Sequence, residues 1–168
     1  MATLTATLKA TLTAVYQGSP DVGTLKQEVT YSASASLSNG TGANQANALW
    51  VDTRTLSASA TENLDLAGVL ADAFGSTLTF TKIKAVIIEA DDANVNDVVV
   101  GGAASNAWVA PFGDATDTLK VKPGGFIMLV APDANGLAVT ASTGDILKVA
   151  NGGSGTSVTY TITLVGVV

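Results

Sequence analysis

Apolar and polar side chains alternate almost without a break from Thr3 to Tyr16, and no other segment constrains the fold as tightly. Leu4, Ala6, Leu8, Ala10, Leu12, Ala14 and Tyr16 fall on one side, and Thr3, Thr5, Thr7, Lys9, Thr11 and Thr13 on the other. A period of two belongs to an extended strand, whose successive side chains point to opposite faces. At about 14 residues the run is more than twice the usual strand length, so it is expected to pass beyond its own sheet or serve an edge, as an arm. A turn cluster, Gly18-Ser-Pro-Asp-Val-Gly23, follows it. Here Pro presets one backbone angle and Gly admits positive φ. A second alternating run comes next, with Leu25, Val29, Tyr31, Ala33, Ala35 and Leu37 on one face and a wholly polar opposite face.

The pattern continues to the C-terminus in shorter pieces. Asn39 to Asn47 reads as a polar surface loop, and Ala48 to Ser59 returns to strand pattern with Trp50 and Arg54 on one face and Leu49 and Val51 on the other. Ala67 to Phe74 is the one stretch expected to form a helical turn, stopped by Gly75. Thr77 to Ala90 starts alternating and ends as a continuous apolar run, the mark of a strand entering a buried environment, and is the expected central strand. Beyond it, short strands recur about every ten residues, at 98–100, 119–122, 126–131, 137–141, 146–150 and 158–168, divided by Gly-Gly, Pro-Gly-Gly and Asn-Gly turns. Many short strands at even spacing predict an all-β, single-domain antiparallel β-sandwich of ten or eleven strands, jelly-roll-like, with a long N-terminal strand. The expected division is an N-terminal β arm at 1–17 and the sandwich at 18–168. No repeat of solenoid or propeller length is present.

Composition narrows function. The chain of 168 residues has no Cys and no His, which removes disulfides, the usual zinc sites, thiol nucleophiles and histidine acid–base catalysis. Only 13% of residues are charged and 5% aromatic, and Ala, Thr, Ser and Gly supply 78 of them, so little reactive chemistry is available. An enzyme is not expected. The net charge of −6 argues against a phosphate-gripping surface, hence against nucleic acid as partner. No apolar window is long enough for a membrane span, and the first residues lack a signal peptide's basic start and apolar core, so synthesis in the cytoplasm is expected.

Individual motifs favour structure over chemistry. Asp92-x-Asn94-x-Asn96 matches the opening of a calcium loop, but Asp97 stands where Gly is required and Ala103 where the bidentate Glu belongs. An Asx-rich turn is the better reading. The eleven Asp and three Glu offer no carboxylate pair on an aromatic-lined strand face, as glycoside hydrolysis needs. The Gly pairs lack a phosphate-loop signature, so no metal and no cofactor is expected. Trp50 reads as core or subunit contact, and Trp108, in the apolar loop 105–112 with Phe112, as interface or core. Lys82/Lys84 and Lys120/Lys122 read as solvated pairs that blunt sheet edges. The candidate contact residues are therefore Leu4, Leu8, Leu12, Tyr16, Trp108 and Phe112.

Residues 48–166 resemble a group of small all-β virion proteins of tailed bacteriophages. The resemblance rests on Trp50-Val-Asp-Thr-Arg-Thr-Leu56, Asn63-Leu-Asp-Leu-Ala-Gly68, Asp72-Ala-Phe-Gly75 with residues 77–85, Val121-Lys-Pro-Gly-Gly125, Ala131-Pro-Asp133 and Gly144-Asp-Ile-Leu-Lys-Val-Ala-Asn151. Jelly-roll capsid cement or decoration proteins are the most similar in size and composition. The resemblance implies a non-enzymatic protein on the capsid exterior of a virion, clamping major capsid protein subunits as a homo-oligomer, a trimer before a dimer. It transfers no functional residues, and residues 1–47 match least. The alternative expectation is a head-fibre, spike or tail-associated protein whose loops 39–47, 91–97 and 105–114 bind a host glycan. A carboxylate hydrolase and a carbohydrate-binding module are weaker alternatives.

Overall fold

The computed structural model describes residues 3–168; Met1 and Ala2 of the expected arm lie outside the described residues. Fourteen strands form: β1 (Ala6–Gly18), β2 (Leu25–Asn39), β3 (Gln45–Ala46), β4 (Ala48–Leu56), β5 (Thr61–Asp65), β6 (Leu70–Ala71), β7 (Thr77–Leu78), β8 (Lys82–Ala90), β9 (Val98–Gly101), β10 (Thr118–Val121), β11 (Phe126–Val130), β12 (Leu137–Ala138), β13 (Ile146–Asn151) and β14 (Val158–Val167). The all-β class holds, and no helix occurs among the described residues.

Two four-stranded antiparallel paths make the body, β11-β8-β14-β4, with β12 also on β8, and β10-β9-β13-β5. One core joins them. Trp50, Val86, Ile88, Tyr160, Ile162 and Leu164 of the first sheet pack with Leu64, Val98, Val100, Val121, Leu147 and Val149 of the second. The alternation is clearest in β13, where Leu147 and Val149 are buried between half-buried neighbours, and in the first part of β14. This inward alternation on both sheets is what makes the pair a β-sandwich. Counting β4, β5, β8, β9, β10, β11, β13 and β14 as strands 1 to 8, the sheet orders are 6-3-8-1 and 5-4-7-2. β8 lies between β11 and β14, the interior place its apolar run predicts.

The N-terminal run is not a lone strand. β1 pairs with β2 over its whole length, from Ala6↔Leu37 to Gly18↔Leu25, so the arm is a hairpin. The boundary expected at 17/18 thus cuts the last paired residues of β1, and the second alternating run belongs to the arm. Both runs carry apolar residues at alternate positions, and antiparallel pairing in this register brings them to one face.

Other expectations are corrected by tertiary pairing. Ala67 to Phe74 is non-helical: Leu70 and Ala71 pair with Leu78 and Thr77 in a minimal antiparallel ribbon, which buries Leu70 and Leu78. The loop 39–47 is not wholly superficial. Gln45–Ala46 runs parallel to the end of β2, and Ala46 is completely buried. Lys84 is enclosed where β8 slips register against β14 between Val165 and Gly166. Its ammonium donates to the Asp133 carbonyl while Lys82 Nζ donates to the Ala134 carbonyl at 2.8 Å. The two lysines therefore grip the 131–136 loop instead of forming a solvated pair.

Candidate interaction surface

The hairpin is the feature that its own sequence leaves least satisfied. Thirteen cross-strand pairs make it about 44 Å long. Only its base is buried. Leu8 and Leu37 pack on Ala85 and Val165, on the side of the β11-β8-β14-β4 sheet away from the main core, with Leu4 and Ala6 half-buried beside them. The Leu4 amide donates to Asn39 Oδ1 at 3.1 Å, closing the base of the hairpin, and the Asn44 amide donates to the Pro132 carbonyl at 2.7 Å, tying the segment after β2 to the body. From Lys9 outward to Ser34 every residue is exposed.

Its two faces differ in kind. One carries the pairs Ala10↔Ala33, Leu12↔Tyr31, Ala14↔Val29 and Tyr16↔Gln27; the other carries Lys9↔Ser34, Thr11↔Ser32, Thr13↔Thr30, Val15↔Glu28 and Gln17↔Lys26. The apolar face therefore presents Leu12, Tyr16, Val29 and Tyr31 to solvent. A two-stranded hairpin is marginal in water and gains stability when such a face is covered. Near the base this face and the body wall form a groove of about 510 Å³, bounded by Ala10, Leu12, Tyr31, Ile87, Phe126 and Met128. A smaller recess of about 240 Å³ continues it toward Ala35, Val130 and Pro132.

Of the six candidate contacts, Leu12 and Tyr16 lie open on the hairpin, while Leu8 is buried and Leu4 half-buried at its base. Trp108 is corrected: it is 2% exposed, and its Nε1 donates to the Ala138 carbonyl at 2.7 Å. Phe112 is half-buried against the main core, its ring edge filling the space beside Gly101. These two are packing residues of a different region from the hairpin. The residues missed were Phe126 and Met128, together with Val29 and Tyr31. The alternation of the second run signalled the latter two, once that run is paired with the first.

The polar clusters are directed inward onto the protein. Asn94 exchanges two 2.8 Å hydrogen bonds with the Thr159 backbone, as a neighbouring strand would, and Asp91 Oδ1 accepts from the Ala93 amide at 2.9 Å. Asn96 Nδ2 donates to Asn151 Oδ1 at 3.0 Å, and Asp97 pairs with Lys122 at 2.8 Å. Among the described residues no three acidic side chains gather where they would hold a metal.

One ionic cluster bridges the sandwich at its β4/β5 edge. Arg54 Nη1 donates to Glu62 Oε2 at 2.7 Å, its Nε lies 3.0 Å from Asp52 Oδ2, and its guanidinium sits 5.5 Å over the Trp50 ring. The fully buried Tyr160 hydroxyl donates to Glu62 Oε1 at 2.6 Å. Burial first, and then the bond to Glu62, hold the Tyr160 phenol well above its ordinary value. With both Glu62 oxygens occupied by donors, the cluster cross-links two sheets and leaves no free base for hydrolysis.

The loops of the glycan-binding alternative do not share a platform. Loop 39–47 is tied by Asn47 to Gly166, which pairs with Ile83 at the start of β8, and the 105–114 loop is tied by Trp108 to Ala138, which pairs with Lys82. Loop 91–97 follows Ala90 at the other end of β8. Nine residues of strand, about 30 Å, separate them.

The hairpin is electrically neutral, with Lys9, Lys26, Asp21 and Glu28, so all of the net −6 resides on the remainder. Compared with known proteins, the chain matches no family model, no curated protein and no solved structure.

Proposed function

We propose that this chain is a non-enzymatic structural protein of a tailed-phage virion that binds and stabilises the assembled capsid from outside, with the major capsid protein as its partner. The observation that carries the reading is the long hairpin, exposed on both faces and anchored on a closed sandwich. Its free β1 edge offers a row of backbone donors and acceptors for a neighbour's sheet, giving affinity from the main chain and register from alternate side chains. The 6-3-8-1 and 5-4-7-2 strand orders support reading the body as a jelly roll. A body with no Cys and few reactive side chains suits a redox-indifferent shell component.

The physical role follows from linkage. A protein that binds the assembled lattice and not the free subunit shifts assembly by mass action, and repeated weak contacts add by avidity. The test is co-sedimentation with emptied capsids of the phage that carries it, using the full chain and a variant in which residues 11–32 are replaced by a short Gly-Ser turn. Saturable binding by the full chain and loss of binding by the variant is the expected result. Equal binding by both, or binding by neither, contradicts the role given to the hairpin.

A further inference from the structure

The hairpin and the sheet beside it match layer for layer. On the body wall the outward pairs of β8 and β11 are Ala85↔Val130, Ile87↔Met128 and Glu89↔Phe126. On the apolar face of the hairpin the pairs are Leu8↔Ala35, Ala10↔Ala33 and Leu12↔Tyr31. Both series step by about 6.8 Å. Contact is made at the first step, where Leu8 packs with Ala85 and the half-buried Val130. At the second, Ala10, Ala33 and Met128 line the recess of about 240 Å³, and at the third, Leu12, Tyr31 and Phe126 line the groove of about 510 Å³. The gap is therefore a wedge that widens outward from the base.

Both walls of the wedge are apolar and wet. Phe126, Tyr31 and Leu12 are 69%, 64% and 56% exposed. A two-stranded ribbon tolerates a wide range of twist, so the hairpin can bend inward with its ladder intact. Charge permits the movement, since Lys9 lines the rim of the groove and Glu89, opposite in sign, stands exposed near the end of β8. Phe126 is the first residue of β11, so the wall stops at its level, and Ala14↔Val29, Tyr16↔Gln27 and Gly18↔Leu25 overhang it.

We propose that the hairpin is a strap with two positions: in the free chain it closes on β8 and β11, seating Leu12 and Tyr31 on Phe126, and it opens to engage the capsid. This rests on reading the hairpin as the contact arm and gives that arm its regulation. Burying a ring of this size favours the closed position about ten- to a hundredfold. Only a partner that binds the open arm more tightly releases it, so the apolar face stays hidden until the lattice is met. Capsid affinity is lowered by the closed fraction.

Hydrogen exchange of the full chain and of Phe126→Asp tests the closure. Phe126 is largely exposed in the open position, so an unchanged melting temperature checks that the variant folds. Amides of residues 10–13 and 30–33 should exchange at least about tenfold faster in Phe126→Asp, with β14 amides unchanged. Because the chain has no Cys, Leu12→Cys with Phe126→Cys supplies a single disulfide, which needs the two Cβ atoms about 3.8 Å apart and so forms within one chain only on closure. Tyr16→Cys with Phe126→Cys, about 14 Å further out, should form far less. In co-sedimentation with capsids, Phe126→Asp should bind about tenfold more tightly than wild type, and the oxidised Leu12→Cys/Phe126→Cys chain should lose binding that reduction restores. Equal exchange in both proteins, or a Leu12–Phe126 disulfide no faster than the Tyr16 control, overturns the closure. Phe126→Asp that binds capsids no better than wild type, or an oxidised chain that binds as well as the reduced one, overturns the regulation. A chain that passes the exchange and disulfide tests yet binds no capsid in any form supports the closure and defeats the capsid reading alone.

Discussion

Replacing Tyr160 by Phe separates the ionic bridge from the packing around it. The ring is fully buried, so the substitution keeps its apolar contacts and deletes only the hydroxyl that donates 2.6 Å to Glu62 Oε1. A hydrogen bond to a charged group contributes about 1.5–3 kcal/mol. Glu62 retains Arg54 as a donor and keeps 19% of its side chain exposed, which places the loss near 1.5–2 kcal/mol, or roughly 3–8 °C in Tm. The sign of the pH dependence follows from the raised phenol. Below the unfolded tyrosine value near 10 the contribution is fully present; above it the unfolded chain ionises Tyr160 while the folded chain does not. Wild type should therefore lose about 1.4 kcal/mol per pH unit above about 10, a term that Tyr160→Phe lacks. Every other side chain is common to both proteins, so its contribution cancels in the difference. Guanidinium unfolding followed by the fluorescence of the buried Trp50 and Trp108 should show a gap of about 1.5–2 kcal/mol at pH 7 that nearly closes by about pH 11. A gap below about 0.5 kcal/mol at pH 7, or one unchanged at pH 11, refutes the assignment of this bridge.

Three further outcomes are expected. Gly101 has φ +103° and an added Cβ would stand 2.5 Å from the Asp117 carbonyl oxygen, so Gly101→Ala should cost about 1–3 kcal/mol in denaturant unfolding. Lys84→Ala removes the ammonium that holds the Asp133 carbonyl and should raise hydrogen exchange at Asn135 and Gly136 about tenfold, with β14 amides unaffected. Asn94→Ala should lower stability by about 1–3 kcal/mol through the orphaned Thr159 backbone, whereas millimolar calcium should leave the wild-type Tm unmoved.

The alternation of residues 3–16 and 25–37 is a local signal, and it placed both hairpin strands and their apolar face correctly. What it could not carry was the partner of the first strand, because the same pattern serves an edge, an arm or a hairpin. The apolar run of 85–90 likewise marked an interior strand, while the enclosure of Lys84 depends on a register slip between β8 and β14, a non-local event. Trp108 sits in an apolar loop that reads equally as interface or core, and only the Ala138 carbonyl, thirty residues away, shows why it is buried. Leu70 and Leu78 illustrate the same limit: the helical spacing of 67–74 yielded to a nine-residue ribbon that brings both leucines into the core. On the interaction surface, Leu12 and Tyr16 were legible from period two, but Phe126 and Met128 join them only because the hairpin base docks over β8 and β11.

Electron cryomicroscopy of the native particle that carries this chain tests the central claim most directly. The sandwich is expected on the outer surface of the shell, with its hairpin lying along the junctions of capsid subunits. Density for the chain in the tail or fibres, particles without it, or a shell-bound body whose hairpin does not touch the capsid would contradict that placement.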